Sequence, residues 1–221
     1  MKNYNIVKFN NDTDYIESDW DSSFWNNAEE AVIENYREES KTFEVKSKIK
    51  LQYSEQGIYG IFHSDEMAIR AEVCGHNSGS CDDSCVEFFV KPSNSTVGYL
   101  NFEFTPLGFV HCSHVIDWRR PNGDIQEKKY LTDEDIKCIR IESSFEKASA
   151  HDSWSLAFFI PFKLLKKYFD FDEKNLIDDQ NWTVNFYKCG DLTEEPHWIA
   201  WNPVHELNFH LPECFGKLSF K

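Results

Sequence analysis

Between residues 43 and 53 every second side chain is apolar, with one exception. Phe43, Val45, Ile49, Leu51 and Tyr53 alternate with Glu44, Lys46, Lys48, Lys50 and Gln52, and Ser47 is the one polar residue in the apolar phase. Successive side chains on a strand point to opposite faces, so this pattern specifies a strand with one buried face. Glu55-Gln56-Gly57 turns the chain, and 58–63 reads as the return strand. Residues 85–90 and 99–104 read as a second hairpin across 92–98, and in it Val86, Phe88, Phe102 and Phe104 share the inward phase. Further strands are expected at 109–115, 137–145, 154–160, 182–188, 197–201 and 215–220. Many short strands separated by turn signals point to an all-β fold, an antiparallel, jelly-roll-like β-sandwich. Two short helices are expected. One starts near Ser22-Ser23, with a serine as N-cap, and runs through 25–31. The other covers 162–169 after Pro161, a residue suited to the first helical position.

Residues 1–221 fit one sandwich domain, with the polar, turn-rich stretch 116–135 as a surface loop. Thirty-eight acidic against 23 basic residues give a net charge of −15. Such a chain repels phosphate backbones and anionic lipid, and Arg119-Arg120 and Lys166-Lys167 are too short to form a basic stripe. Nucleic acid is therefore not an expected partner. Membrane insertion is not expected either, because no stretch approaches the ~20 apolar residues of a spanning helix. The seven cysteines are odd in number in a chain large enough to need no staples, so reduced thiols, several of them buried, are expected. With no signal-like apolar core near the N-terminus, this points to a cytoplasmic setting, or to secretion if a leader precedes the sequence.

Four segments occur in a telling order. The first holds Trp20, Trp25 and Ala28. The second is Asp83-Ser84-Cys85-Val86-Glu87-Phe88-Phe89-Val90, followed by Tyr99-Leu100-Asn101-Phe102-Glu103-Phe104 and Gly108. The third runs from Trp154 to Ile160-Pro161-Phe162. The fourth is Asn185-Phe186-Tyr187-Lys188, then His197-Trp198, Trp201-Asn202-Pro203, and Phe209-His210-Leu211-Pro212-Glu213-Cys214-Phe215-Gly216. The set resembles the family 9 carbohydrate-binding modules, and stand-alone bacterial relatives more closely than xylanase-attached members.

The resemblance implies a β-sandwich that binds a mono- or oligosaccharide on one sheet face without catalysis, in a role such as polysaccharide utilisation. Attached members clamp a terminal sugar between two tryptophans. Glu87 matches a sugar-contacting glutamate of the family, and its phase is opposite to that of Val86, Phe88 and Val90. Glu103 and Thr105 stand where attached modules carry an arginine and an asparagine, and Tyr187 where they carry a glutamine. Phe209 stands at the second stacking tryptophan, whereas the first is matched by Cys81. The implied ligand site is thus Glu87, Glu103, Thr105, Tyr187 and Phe209, with one stacking ring. Trp201 is read as packing.

The resemblance also implies structural calcium, for which Asp82 and Asp83 are the candidates, although no Asp-x-Asp-x-Asp-Gly loop is present. No other cofactor is expected. His111 and His114, three apart on one strand, fall on opposite faces, and Cys81 and Cys85 lack zinc-knuckle spacing. Two rival functions stay open. Glu87 and Glu103 are the carboxylates a glycoside hydrolase would use, although no nucleophile elbow, phosphate loop or zinc-protease motif accompanies them. Alternatively, the chain is a protein-interaction domain that has lost sugar binding.

Overall fold

A computed structural model describes residues 1–9, 15–92, 96–146, 153–177 and 181–221. The alternating segments form strands in two layers. In one layer β4 (Lys46–Tyr53) and β5 (Gly57–Asp65) pair antiparallel, with Ile49 opposite Phe62 and Leu51 opposite Gly60. β11 (Ser153–Pro161) pairs β5 along its whole length, with β10 (Arg140–Ser143) outside it, and β2 (Glu30–Ile33) pairs β4. Gly60 is required at this crossing. A Cβ there would lie 2.2 Å from the Phe158 ring.

The second layer is built on β6 (Cys85–Lys91), β7 (Tyr99–Phe104) and β8 (Val110–Asp117), an antiparallel meander. β12 (Thr183–Gly190) pairs the free side of β6 and carries β14 (Gly216–Phe220) and β13 (His197–Ala200), while β3 (Asn35–Tyr36) pairs β13. β1 (Asn3–Lys8) joins the layers, pairing β14 through Asn3–Ile6 and β4 through Val7 and Lys8. Both β1 pairings are parallel, so the sandwich is one curled sheet and not wholly antiparallel. β1 has only two core-facing residues, Tyr4 and Ile6, too few for its alternation to be read.

Val86, Phe88, Phe102 and Phe104 are all fully buried between the layers, as their shared phase predicts. Phe88 stacks against Phe102 and Phe186 from its own layer and against Phe158 from the other. Burying one such ring contributes roughly 1.5–3 kcal/mol. Phe43 departs from its expected inward phase and is 60% exposed, because ladder pairing in β4 begins only at Lys46.

Two helical expectations shrink. The N-terminal one is a single 3-10 turn, Ser23–Trp25, whose Phe24 N–H donates to Ser22 Oγ. Residues 30–33 then alternate outward and inward as β2. α2 spans only Phe162–Leu165, with Pro161 at the N-cap and not inside the helix. The expected loop 116–135 contains β9 (Glu127–Tyr130), exposed throughout and paired to β8. It also contains the start of α1 (Asp133–Ile136), which Thr132 and Asp135 close with a capping box. α1 and the turn after it delay the strand expected at 137–145 until Arg140. Residues 93–95 of the expected turn at 92–98 lie outside the described residues. All seven cysteines carry free thiols. Among the described residues, no helix is long and apolar enough to cross a membrane.

Candidate functional site

With Val86, Phe88 and Val90 turned to the core, Cys85, Glu87 and Phe89 face the other side of β6. Strand register extends that face across the layer. Tyr187, Glu87, Glu103 and His111 form one row over β12, β6, β7 and β8. Trp198, Cys189 and Cys85 form the neighbouring row, and Asn185, Phe89, Asn101 and Ser113 the row on the other side. This face is covered. Val204, Leu211 and Phe215 pack onto Phe89, Tyr99 and Tyr187 as a second apolar cluster. Glu87 is left 3% exposed and Glu103 8%.

Covering and sheet enclose a cleft of about 310 Å³. Glu87, Glu103 and Cys189 contribute from the strands, Cys81, Asp191 and Trp198 from one side, and residues 207–210 and Arg120 from the other loops. Larger cavities open elsewhere on the surface, but this one holds the converging acids and rings.

Hydrogen bonds fix the acids. Ser113 Oγ donates to Asn101 Oδ1 at 2.6 Å, and Asn101 Nδ2 donates to Glu103 Oε1 at 2.6 Å. The Cys189 thiol donates to Glu87 Oε1 at 3.1 Å. Burial, reinforced by neighbouring Glu103, pushes the Glu87 carboxyl well above the usual carboxylate range. Asp191 is also pushed up by burial, while its Oδ1 accepts from Trp198 Nε1 at 2.7 Å. Burial and the nearby Arg120 and Lys128 cations hold His210 well below the usual imidazole range, so its ring is neutral where it meets the Tyr99 hydroxyl at 2.6 Å. The cleft therefore offers neutral donors and acceptors as well as charge.

Glu87, Glu103 and Phe209 line the cleft together, although distant in sequence. Tyr187 and Thr105 do not. Tyr187 is fully buried and lies under Phe209, with ring centroids 4.1 Å apart and planes at 14°. Its hydroxyl donates to the Phe209 carbonyl oxygen at 3.0 Å, so its phenol is already used. Thr105 is fully buried just beyond β7, where its N–H donates to Phe109 O and its Oγ1 accepts from Phe109 N. It shapes the turn into β8 and does not reach the cleft.

The sequence reading missed Trp198, Arg120, Asp191 and Asn208. Trp198 was legible in principle, because its neighbour Ile199 takes the core phase of β13. Arg120 and Asn208 come from loops without periodicity and gave no such signal. Cys81 does line the cleft, and Trp198 brings a second ring to it from another strand. Trp201 packs in the core as expected.

The calcium candidates do not fit that ion. Asp83 is fully buried, and its Oδ1 is bound to the Arg70 guanidinium. Its Oδ2 accepts from the Glu72 and Val73 N–H groups at 2.9 and 2.8 Å. Asp82 gathers with Asp191 and the thiol of Cys81, and a thiol is a poor partner for a hard, oxygen-seeking cation. His111 and His114 lie on opposite faces, as their spacing requires. His114 packs against Tyr168 and Phe169, and His111 meets Tyr130 and Ser78 O.

The model of carbohydrate-binding family 9 matches residues 24–220. The chain belongs to that family. Its fold is that of other solved family 9 structures. A Bacteroides uniformis protein described as a candidate carbohydrate-binding protein shares 23% identity over 100% of this chain and 99% of its own, with a TM-score of 0.81. A family 9 module from Caldicellulosiruptor kristjanssonii, solved with cellotriose, shares 14% identity over 100% of this chain and 94% of its own, with a TM-score of 0.64. The same module solved with glucose gives 14% identity, 100% and 96% coverage and a TM-score of 0.64. No curated protein sequence matches the chain.

Proposed function

We propose that the chain is a non-catalytic module that binds a sugar in the cleft between Phe209 and Trp198. The observation that carries this reading is the pairing of two aromatic rings with two fixed acids, Glu87 and Glu103, in one concave site. A pyranose has an apolar C–H face that packs on an aromatic ring, and a rim of hydroxyls that needs oriented partners. Phe209 is backed by Tyr187, and Trp198 is tethered to Asp191. A protonated Glu87 can donate to a sugar oxygen while Glu103 accepts from a hydroxyl. The cleft lies at the small end of the ~300–1,000 Å³ typical of ligand pockets, which suits one sugar or the end of an oligosaccharide. Structures of the same fold with cellotriose and glucose support a β-linked glucan end as the first ligand to try.

Hydrolysis is the weaker reading. Glu87 and Glu103 are direct cross-strand neighbours on one sheet face, so both carboxyls approach a ligand from the same side. A glycosidase pair must flank the scissile bond.

The test is a glycan-array screen followed by calorimetric titration of the best sugar. Phe209→Ala and Glu103→Gln should each remove measurable binding while the protein stays folded. A sugar bound equally well by both variants would place the site elsewhere.

A further inference from the structure

Beneath the proposed sugar cleft, register brings two thiols and a carboxylate together. Cys85 and Cys189 are directly opposed across β6 and β12, and Glu87 follows two residues along on the same face. All three side chains are buried, and their donor atoms lie within 4.8 Å of one another. We infer that Cys85, Glu87 and Cys189 form a binding site for a thiophilic divalent cation of the zinc class, reached through the cleft. This site is independent of the sugar reading, although both use Glu87.

Three observations carry it. The first is spacing. Zinc–sulfur bonds of about 2.3 Å and zinc–oxygen bonds of about 2.0 Å at tetrahedral angles need donors roughly 3.5–3.8 Å apart. Cys189 Sγ and Glu87 Oε1 are 3.1 Å apart, so a few tenths of an ångström of rotation opens the pair around an ion. The second is unbalanced burial. Glu87 forms no ion pair with a lysine or arginine among the described residues. Lys188, the cation next in sequence to Cys189, points to the other face and pairs with Glu66 at 3.2 Å. Ionised, the Glu87 carboxyl would be costly to bury without a cation, and a metal ion supplies one. The third is access. Cys189 and Glu87 line the cleft, so an ion has an entry path, and its fourth position would face the cavity.

The donor set selects the metal class. Two sulfurs and one oxygen suit a borderline-soft ion and disfavour calcium or magnesium. Loading takes one dication in and releases the two thiol protons to solvent, with no oxidation or reduction.

The experiment uses the full chain, kept reduced and stripped with a chelator, and titrates it with zinc alone by calorimetry and with cobalt by absorption. One ion per chain is expected, with thiolate-to-cobalt charge-transfer absorption and proton release that shows as buffer-dependent heat. Cys189→Ser and Glu87→Gln should each weaken zinc binding by more than the roughly 10–100-fold that losing an outer-shell partner costs. Cys138→Ser, at an exposed thiol, should leave it unchanged. If Cys189→Ser fails to fold, the near-isosteric Glu87→Gln variant and the cobalt spectrum of the native chain still decide. No stoichiometric ion, a cobalt complex without thiolate absorption, or zinc affinity unmoved by Glu87→Gln would overturn the site.

Discussion

The Phe209 ring lies flat on the Tyr187 ring, 4.1 Å between centroids, and the Tyr187 hydroxyl holds the Phe209 backbone carbonyl. A loop phenylalanine is thereby given the rigidity of a strand residue. Tyr187→Phe keeps the ring and removes only the hydrogen bond, worth about 0.5–1.5 kcal/mol. Sugar affinity should fall modestly, whereas Phe209→Ala should remove binding altogether. Side-by-side titrations of the two variants check this order, and equal losses would show that Tyr187 does more than support the ring.

Glu87 sets a pH dependence. Its folded-state carboxyl is raised, so the folded protein retains a proton that the unfolded chain releases near the ordinary glutamate range. The stability linked to this group is fully present below that range and is lost as pH rises through the folded-state value. Glu87→Gln should flatten this decline and raise the melting temperature at neutral and alkaline pH. Melting curves of both proteins across pH measure it. A variant that is less stable at high pH would contradict the assignment.

Two of the phenylalanines that the alternation placed inside, Phe43 and Phe88, should behave differently. Phe88→Ala empties a site walled by Phe102, Phe158 and Phe186 and should cost about 3–5 kcal/mol. Phe43→Ala, at an exposed ring that meets only Tyr36 among the described aromatic residues, should stay within about 0.5 kcal/mol. Denaturant unfolding separates the two.

Asp83 should matter for stability. Removing its carboxylate in Asp83→Ala leaves the Glu72 and Val73 N–H groups without their acceptor, while Arg70 keeps Glu72 and the Asp82 carbonyl, and an unsatisfied buried donor costs roughly 1–3 kcal/mol. Calcium should not restore what is lost. A calcium-dependent rescue of the wild-type melting temperature through this residue would reverse that conclusion.

Much of the fold was legible because β4 alternates apolar and polar side chains and because Val86, Phe88, Phe102 and Phe104 share one phase along β6 and β7, which fixes the faces of these strands. The same rule turned Glu87 away from the core correctly. It failed for Thr105, which has the phase of Glu103 but sits one residue past the end of β7, where the backbone leaves the ladder. It could not show that the outer face of β6 is covered, since residues 201–215 fold over it through contacts without a period. Tyr187 was placed in the right row, and its burial beneath Phe209 could not be read for that reason. β9 was invisible because a strand exposed on both faces has no apolar phase to read.

The most direct measurement is a crystal structure of the chain with the sugar that the array selects. A pyranose ring should lie against Phe209, with its hydroxyls on Glu87 and Glu103 and the Trp198 indole beside it. A sugar seated elsewhere on the surface, with this cleft holding only water, would contradict the assignment.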